Sequence, residues 1–279
     1  MALSRSPLVE FVGVWGRDPV RAAELGEEFA VHSFPDLDSM FGEVDAVAFA
    51  VPPDVQGELA TRAAKAGKHL LLEKPISVSP LVARQLEASV VEAGVATIVF
   101  FALRFNEAHR EWLASLEGTE GWRGGSVLWL TQTLSSDGPY SGSAWRRQKG
   151  ALWDVGPHTL SVLSAVLGGV VGISAEQGVG DLVHLVLRHE GGATSTASLT
   201  LRAPLEKRFL EVMLWGSAGV TTMPPLPVSS EAALCRALEE LVESAAAPGH
   251  GHPCDVHFGR QVVELLAQAE SSMTNAGGN

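Results

Sequence analysis

Cysteine is nearly absent: Cys235 and Cys254 are the only two in 279 residues, too few for a disulfide framework and in keeping with a reducing compartment. Basic residues are also scarce. Twenty Lys and Arg stand against 32 Asp and Glu, a formal net charge of −12, which repels phosphate backbones and anionic membrane surfaces and excludes nucleic acid and membrane as expected partners. Long apolar runs are missing too: no stretch reaches the roughly 18 residues that a membrane helix needs, and no basic start leads into an apolar core. There is no internal repeat, and low complexity is confined to an Ala/Gly/His/Pro stretch at 245–253. These absences predict a soluble, cytoplasmic protein. With 46% hydrophobic residues, the chain can bury a large core in two domains or one large one.

What is present falls into two halves. Over residues 1–101, short β-branched runs alternate with helical patterns. VEFVGV (9–14) is followed by Asp18-Pro19, a helix cap with proline at the first helical position. VHSF (31–34), DAVAFAV (45–51), KHLLLE (68–73) and ATIVFF (96–101) read as further strands, with helices over 54–66 and from Pro80 to Gly94 between them. This alternation predicts an α/β half with a parallel, doubly wound sheet. From residue 102 the pattern changes. GSVLWLTQT (125–133), DLVHLVLRH (181–189), GATSTASLTLR (192–202) and RFLEVMLWG (208–216) read as antiparallel strands, with a turn at Glu190-Gly191-Gly192. Helices at about 151–167, 230–246 and 255–272 would cover one face, giving an α+β domain over 102–279 with an open antiparallel sheet. A second subunit is a natural cover for the other face.

Two constellations carry chemistry. Glu73-Lys74-Pro75 sits at the carboxyl end of a parallel strand, where open α/β sheets hold their ligands. The Lys74 ammonium can donate to a substrate hydroxyl or a developing alkoxide, while Pro75 fixes the turn that aims it; the alternative is a surface ion pair of Glu73 with Lys74. The second is KGALWDVGPH (149–158). Asp154 and His158 are four apart, close either on one helical face or across a turn opened by Pro157. A carboxylate beside an imidazole orients a general base; the alternative is that Asp154 merely caps a helix with His158 at its mouth.

Taken together, AGKHLLLEKP, then Arg104-Phe105, then KGALWDVGPH resemble the Gfo/Idh/MocA family of glucose-fructose oxidoreductase and inositol dehydrogenase. The resemblance runs from about residue 3 to the last helix. It implies a Rossmann domain, a C-terminal domain on an open antiparallel sheet used for substrate binding and oligomerisation, and hydride transfer between NAD(P) and a secondary alcohol of a sugar, cyclitol or related diol. It also implies a homo-oligomer, dimer or tetramer, formed through the C-terminal sheet. Carried over, Lys74 contacts nicotinamide and substrate, Asp154 holds a substrate hydroxyl, and His158 is the acid/base. Val51, Pro52 and Pro53, with Glu73 and Pro75, lie near the cofactor, and Arg104 near the substrate. Gln56 stands where many relatives have histidine. Apart from the resemblance, Trp145, Arg146 and Arg147 fall in a loop before the Asp154 motif, where they either line the substrate mouth or form an ordinary solvated loop.

The departure is at the front. The family pattern begins with a strand, a G-x-G-x-x-G/A loop and a helix, whereas ALSRSPLVEFVGVWGRD matches the end of that helix and the second strand. About twenty residues of the pattern are unmatched, so the reading is of an N-terminally truncated member. No other glycine cluster follows a strand and opens a helix; dinucleotide affinity is expected to fall severely without that loop, to the point of no cofactor at all. In a sheet of order 3-2-1-4-5-6 the unmatched strand is central, which exposes the inner edges of VEFVGV and DAVAFAV. Direct pairing of those strands, a strand from a second chain, or a longer reading frame would close the gap. Cofactor preference follows from Gly16-Arg17-Asp18: Asp18 serves as the helix cap, which frees Arg17 to face the ribose and leans towards NADP. His250, His252, Cys254 and His257 have zinc-compatible side chains, but their spacing matches no closed site and no metal is expected.

Two functions therefore compete. One is an NAD(P)-dependent oxidoreductase acting on CH–OH groups, motivated by Lys74, Asp154 and His158. The other is a non-catalytic binding or assembly protein, motivated by the unmatched loop.

Overall fold

A computed structural model describes residues 2–134, 140–225, 229–247, 249 and 251–276. In the first half the elements are α1 (Ala2–Arg5), β1 (Gly13–Val14), α2 (Pro19–Phe29), β2 (His32–Ser33), α3 (Leu37–Glu43), β3 (Ala46–Ala48), α4 (Pro53–Lys65), β4 (His69–Leu72), α5 (Pro80–Ala93) and β5 (Thr97–Val99). Asp18 caps α2 by accepting from Val20 and Arg21 N–H, Ser79 caps α5, and Gly94 ends α5 at φ 64°, a left-handed position that suits glycine. Helix α3 has the same logic, with Asp36 accepting from Ser39 N–H; its cap was readable but the sequence pattern left it out.

The parallel strands form two sheets. β1 pairs with β2, and β3-β4-β5 form a second group, all parallel. The order matches a doubly wound sheet interrupted at its centre: among the described residues β1 and β3 do not pair with each other. Asp45 carbonyl accepts from His69 N–H and Phe49 N–H donates to Leu71 carbonyl, so by the two-residue alternation Ala46 and Ala48 turn their backbone groups away from β4. Both are exposed. On β1, Val12 and Val14 carbonyls accept from His32 and Phe34, which leaves the Gly13 backbone on the opposite edge. The strands are shorter than the apolar runs 9–14, 45–51 and 96–101 because their pairing is short and, at β1 and β3, one-sided.

The second half comprises α6 (Ala102–Phe105), α7 (Glu107–Leu116), β6 (Trp122–Leu130), α8 (Ala144–Asp154), α9 (Gly156–Leu167), β7 (Val170–Gln177), β8 (Val183–His189), β9 (Thr194–Thr200), β10 (Phe209–Gly216), β11 (Gly219–Thr222), α10 (Glu231–Ala246) and α11 (Val256–Ala276). Its six-stranded sheet has the order β11-β10-β6-β9-β8-β7. The sheet corrects the all-antiparallel expectation at one place: β6 and β9 run parallel, the other pairs antiparallel. Alternation assigns faces but not neighbours, so this pairing is invisible in the sequence. Along β8, Val183, Leu185, Leu187 and His189 are buried and His184, Val186 and Arg188 exposed. Helices α8, α9 and α11 cover the buried face, while Leu128, Val186, Phe209 and Trp215 remain exposed.

The C-terminal helices return to the parallel half. Val99 N–H donates to Cys254 carbonyl at 2.7 Å, Val256 N–H to Thr97 Oγ1 at 2.9 Å, and Arg84 to Glu264 at 2.6 Å. A side chain at Gly259 would meet Ile76 and Val99 at 3.0 Å, so glycine permits this approach. A buried brace closes the same region: Glu240 takes Arg110 of α7, Arg236 at 2.9 Å and His252 Nε2 at 2.9 Å. Burial alone would raise the Glu240 pKa, but the bond from His252 and the charge of Arg110 prevail and hold it down at about 2. Its stabilisation is therefore present above the ordinary value of 4.5 and lost as pH falls towards 2. Glu240→Gln is expected to lower stability by about 1–3 kcal/mol in urea denaturation at pH 7. That deficit should shrink below pH 4.5; equal stability at pH 7 would show the brace to be idle.

Candidate active site

Lys74 follows the carboxyl end of β4, and the turn that carries it is tied to α4. Gln56, fully buried, accepts from Glu73 N–H at 2.9 Å and donates to the carbonyls of Glu73 at 2.7 Å and Pro75 at 3.3 Å. A single amide side chain thus satisfies three backbone groups of the Glu73-Lys74-Pro75 turn. Nothing in the spacing of Gln56 announces this role, since its partners are 17 to 19 residues away.

From that turn Lys74 reaches into the second half. Its Nζ donates to the Asp154 carbonyl at 2.7 Å and lies 3.3 Å from Asp154 Oδ1, with side-chain exposures of 12% and 8%. The surface pair of Glu73 with Lys74 is therefore not what forms. Glu73 instead accepts from Lys74 N–H through its carboxylate, and burial pushes its pKa up. Asp154 does not cap the following helix either: Val155 occupies the N-cap of α9 and gives no side-chain bond. The Asp154 carboxylate is shared with a second cation, Arg146, whose Nε donates to Oδ1 at 3.1 Å. Arg146 and Asp154 both belong to α8, eight residues apart, and the helix is broken between them at Gly150, φ 64° and ψ −161°. A straight helix would separate their Cα atoms by about 12 Å; the bend at glycine helps the side chains meet.

His158 stands one turn beyond Asp154, in the first turn of α9. Its ring stacks on Trp129 at 5.6 Å, and its Nδ1 has no hydrogen-bond partner among the described residues. Burial, with the Lys74 charge adding to it, holds the imidazole well below its usual 6.5, so it is a neutral base.

These groups open onto one cavity of about 870 Å³, within the size range of small-molecule sites. Arg17, Val51, Pro52, Pro53, Glu73, Lys74, Trp145, Asp154 and His158 all line it, so most of the residues singled out in the sequence are brought together. Two are not. Pro75, joined to Lys74 by a cis bond, meets Gln56 rather than the cavity. Arg104 donates to the Ser161 carbonyl at 3.0 Å, bracing α6 against α9, and does not line the cavity. Trp129, Thr131 and His109 line it unannounced; Trp129 lies on β6 and Thr131 just past its end, and only their shared parity could have flagged them. The His/Cys stretch is dispersed: His252 meets Glu240, His257 meets Glu87 at 2.6 Å, and buried Cys254 has its thiol pushed up to about 11 by burial. His250 lies outside the described residues.

Comparison with known proteins gives matches in both halves. Residues 1–101 match the family model described as an oxidoreductase family with an NAD-binding Rossmann fold, and residues 120–222 match the GFO/IDH/MocA C-terminal domain. UDP-N-acetylglucosamine 3-dehydrogenase of Acidithiobacillus ferrooxidans is 36% identical over 69 residues, covering 25% of this chain and 22% of that protein. The dTDP-3,4-didehydro-2,6-dideoxy-alpha-D-glucose 3-reductase of Actinomadura kijaniata is 28% identical over 194 residues, 68% of this chain and 55% of that one. The chain thus spans little more than half of these relatives at most. Among solved structures, GenD2 from gentamicin A biosynthesis, in complex with NAD, superposes with a TM-score of 0.80 at 22% identity, covering 99% of this chain and 90% of that one. At that identity the likeness is one of fold.

Proposed function

The chain belongs to the Gfo/Idh/MocA family of NAD-binding oxidoreductases, and from that premise we propose that it transfers hydride between NAD(P) and a secondary alcohol of a sugar, cyclitol or related diol. One observation carries the reading. Lys74, from the parallel half, and Asp154 and His158, from the other, converge on one cavity with a buried neutral imidazole beside a buried ammonium. In the oxidising direction His158 takes the hydroxyl proton, Lys74 donates to the oxygen as its charge develops, and the free oxygen of Asp154 holds a substrate hydroxyl. The nicotinamide, when bound, supplies the hydride acceptor. The relatives that act on nucleotide-linked sugars support a small-molecule substrate.

The lining residues fit the ends of a dinucleotide. Arg17, past the end of β1, suits the adenosine ribose and favours a 2′-phosphate. Val51–Pro53 and Lys74 suit the nicotinamide end. The start of α4 has Pro52 at its cap and no side-chain bond there, which leaves a first-turn N–H for a phosphate. A second reading draws on a different observation: among the described residues no strand pairs with the edges at Gly13, Ala46 and Ala48, which favours a binding or assembly protein. Fluorescence titration with NADPH and NADH separates the two. The oxidoreductase reading expects micromolar binding, NADPH tighter than NADH, with the preference removed in Arg17→Ala. Silence up to millimolar concentrations would leave the assembly reading standing.

The exposed apolar side chains on the open face of the six-stranded sheet, Leu128, Val186, Phe209 and Trp215, support the further proposal that a second copy packs there. Sedimentation at micromolar concentration should then give a dimer or tetramer; a monomer would sink this point without touching the chemistry.

A further inference from the structure

Arg146 is held more elaborately than support of Asp154 requires. Its guanidinium lies over the Tyr140 ring at 4.1 Å and over Trp145 at 4.5 Å, so its plane is fixed. Within that plane Nε is used by Asp154 at 3.1 Å and Nη1 faces Ser143 Oγ at 3.4 Å. Nη2 makes no bond to a described residue, while the side chain, 19% exposed, lines the cavity.

Charge points the same way. The Asp154 carboxylate already has Lys74, so Arg146 brings a second cation to one anion. Among the described residues that line the cavity, Arg17, Lys74 and Arg146 are matched in number by Asp54, Glu73 and Asp154, and burial raises the Glu73 pKa. In a chain of net charge −12, this lining does not share the general acidic excess, so it opposes an incoming anion less than the rest of the surface does. The Arg146 wall is built by the second half of the chain, whereas Arg17 and Val51–Pro53, which the proposed function gives to the cofactor, belong to the first half.

We propose that Arg146 is a specificity-determining residue for an anionic substrate, its free guanidinium edge binding a carboxylate or phosphoryl group carried by the molecule whose hydroxyl is oxidised. The inference rests on the oxidoreductase reading and narrows its substrate class. A planar fork stacked against two rings is pre-organised for the paired oxygens of such a group, and an ammonium is not.

The test is calorimetric titration of the full chain, without cofactor and at low salt, using UDP for the phosphoryl case, L-tartrate for the carboxylate case and myo-inositol as the uncharged comparison. At least one oxyanion should bind and tighten as salt is lowered, with myo-inositol at least tenfold weaker. Arg146→Gln should weaken the oxyanion by about tenfold or more, and Arg146→Lys should recover only part of it. A structural role for Arg146 alone would not alter the discrimination between charged and uncharged ligands. The inference is overturned if myo-inositol binds as tightly as both anions, if Arg146→Gln binds the anion like wild type, or if Arg17→Gln rather than Arg146→Gln removes binding, which would assign the anion to the cofactor end. Failure of the oxidoreductase reading looks different: anion binding through Arg146 would persist while no alcohol reduced NAD(P) in any assay.

Discussion

Lys74→Met will lower turnover by about a hundredfold to ten-thousandfold, the range for losing a positioned proton-transfer partner, and will move the acid limb of the pH profile upwards. The first effect follows from the loss of the donor to the developing alkoxide. It also leaves the Asp154 carbonyl without the ammonium that bonds it at 2.7 Å. The second follows from His158. Burial is the larger cause of its lowered pKa and the Lys74 charge the smaller, so removing the ammonium lets the imidazole protonate at higher pH. In wild type the oxidation rate should stay flat down to well below pH 6.5 and fall only as the neutral imidazole is titrated. Stability should follow the same sign. The folded chain keeps His158 neutral while the unfolded chain takes up a proton below about 6.5, so each pH unit below that value removes about 1.4 kcal/mol until the folded pKa is reached. Lys74→Arg keeps the charge but replaces a compact ammonium with a wide fork, and should not restore turnover. Steady-state rates against pH check all three points. A Lys74→Met enzyme as fast as wild type would remove this residue from the chemistry.

Gln56→Leu should be the most damaging substitution for the site that leaves every cavity-lining side chain in place. It strands Glu73 N–H and the carbonyls of Glu73 and Pro75. Each unpaired buried group costs about 1–3 kcal/mol, so a loss of roughly 3–9 kcal/mol is expected, against a typical net stability of about 5–15 kcal/mol. The turn that aims Lys74 would lose its tie to α4, and turnover should drop with it. Urea denaturation read alongside turnover decides the matter: a loss below about 1 kcal/mol with full activity would mean that the turn holds itself.

The parts of this molecule that were readable in advance are those encoded locally. Asp18-Pro19, Ser79-Pro80 and Gly94 mark helix ends in a few residues each, and the alternation of apolar runs with helical patterns fixed the parallel half. Lys74, Asp154 and His158 stood out because strand-end position and four-residue spacing are visible in one dimension. What escaped depends on contacts across the chain. Gln56 looks like any helix residue until its partners at 73 and 75 are folded against it, and the bond of Arg146 to Asp154 passes around a bend at Gly150 that no hydrophobic period records. The parallel pairing of β6 with β9 escaped because strand faces are written in the alternation and strand order is not. Arg104 was assigned to the substrate by the family resemblance, and here the short α6 turns it towards the Ser161 carbonyl rather than into the cavity lining.

The interruption between β1 and β3 also bears on how the protein opens. A continuous sheet couples its strands, so that breaking one ladder loosens its neighbours. Among the described residues β1, α2 and β2 share no ladder with β3, β4 and β5. The β1–α2–β2 segment, tied to the rest by core packing such as that of Phe34 rather than by a ladder, is therefore expected to exchange its amide hydrogens faster than β4 does. Arg17 follows β1 and Lys74 follows β4, so the same exchange measurement is expected to find the two ends of the cavity unequally protected.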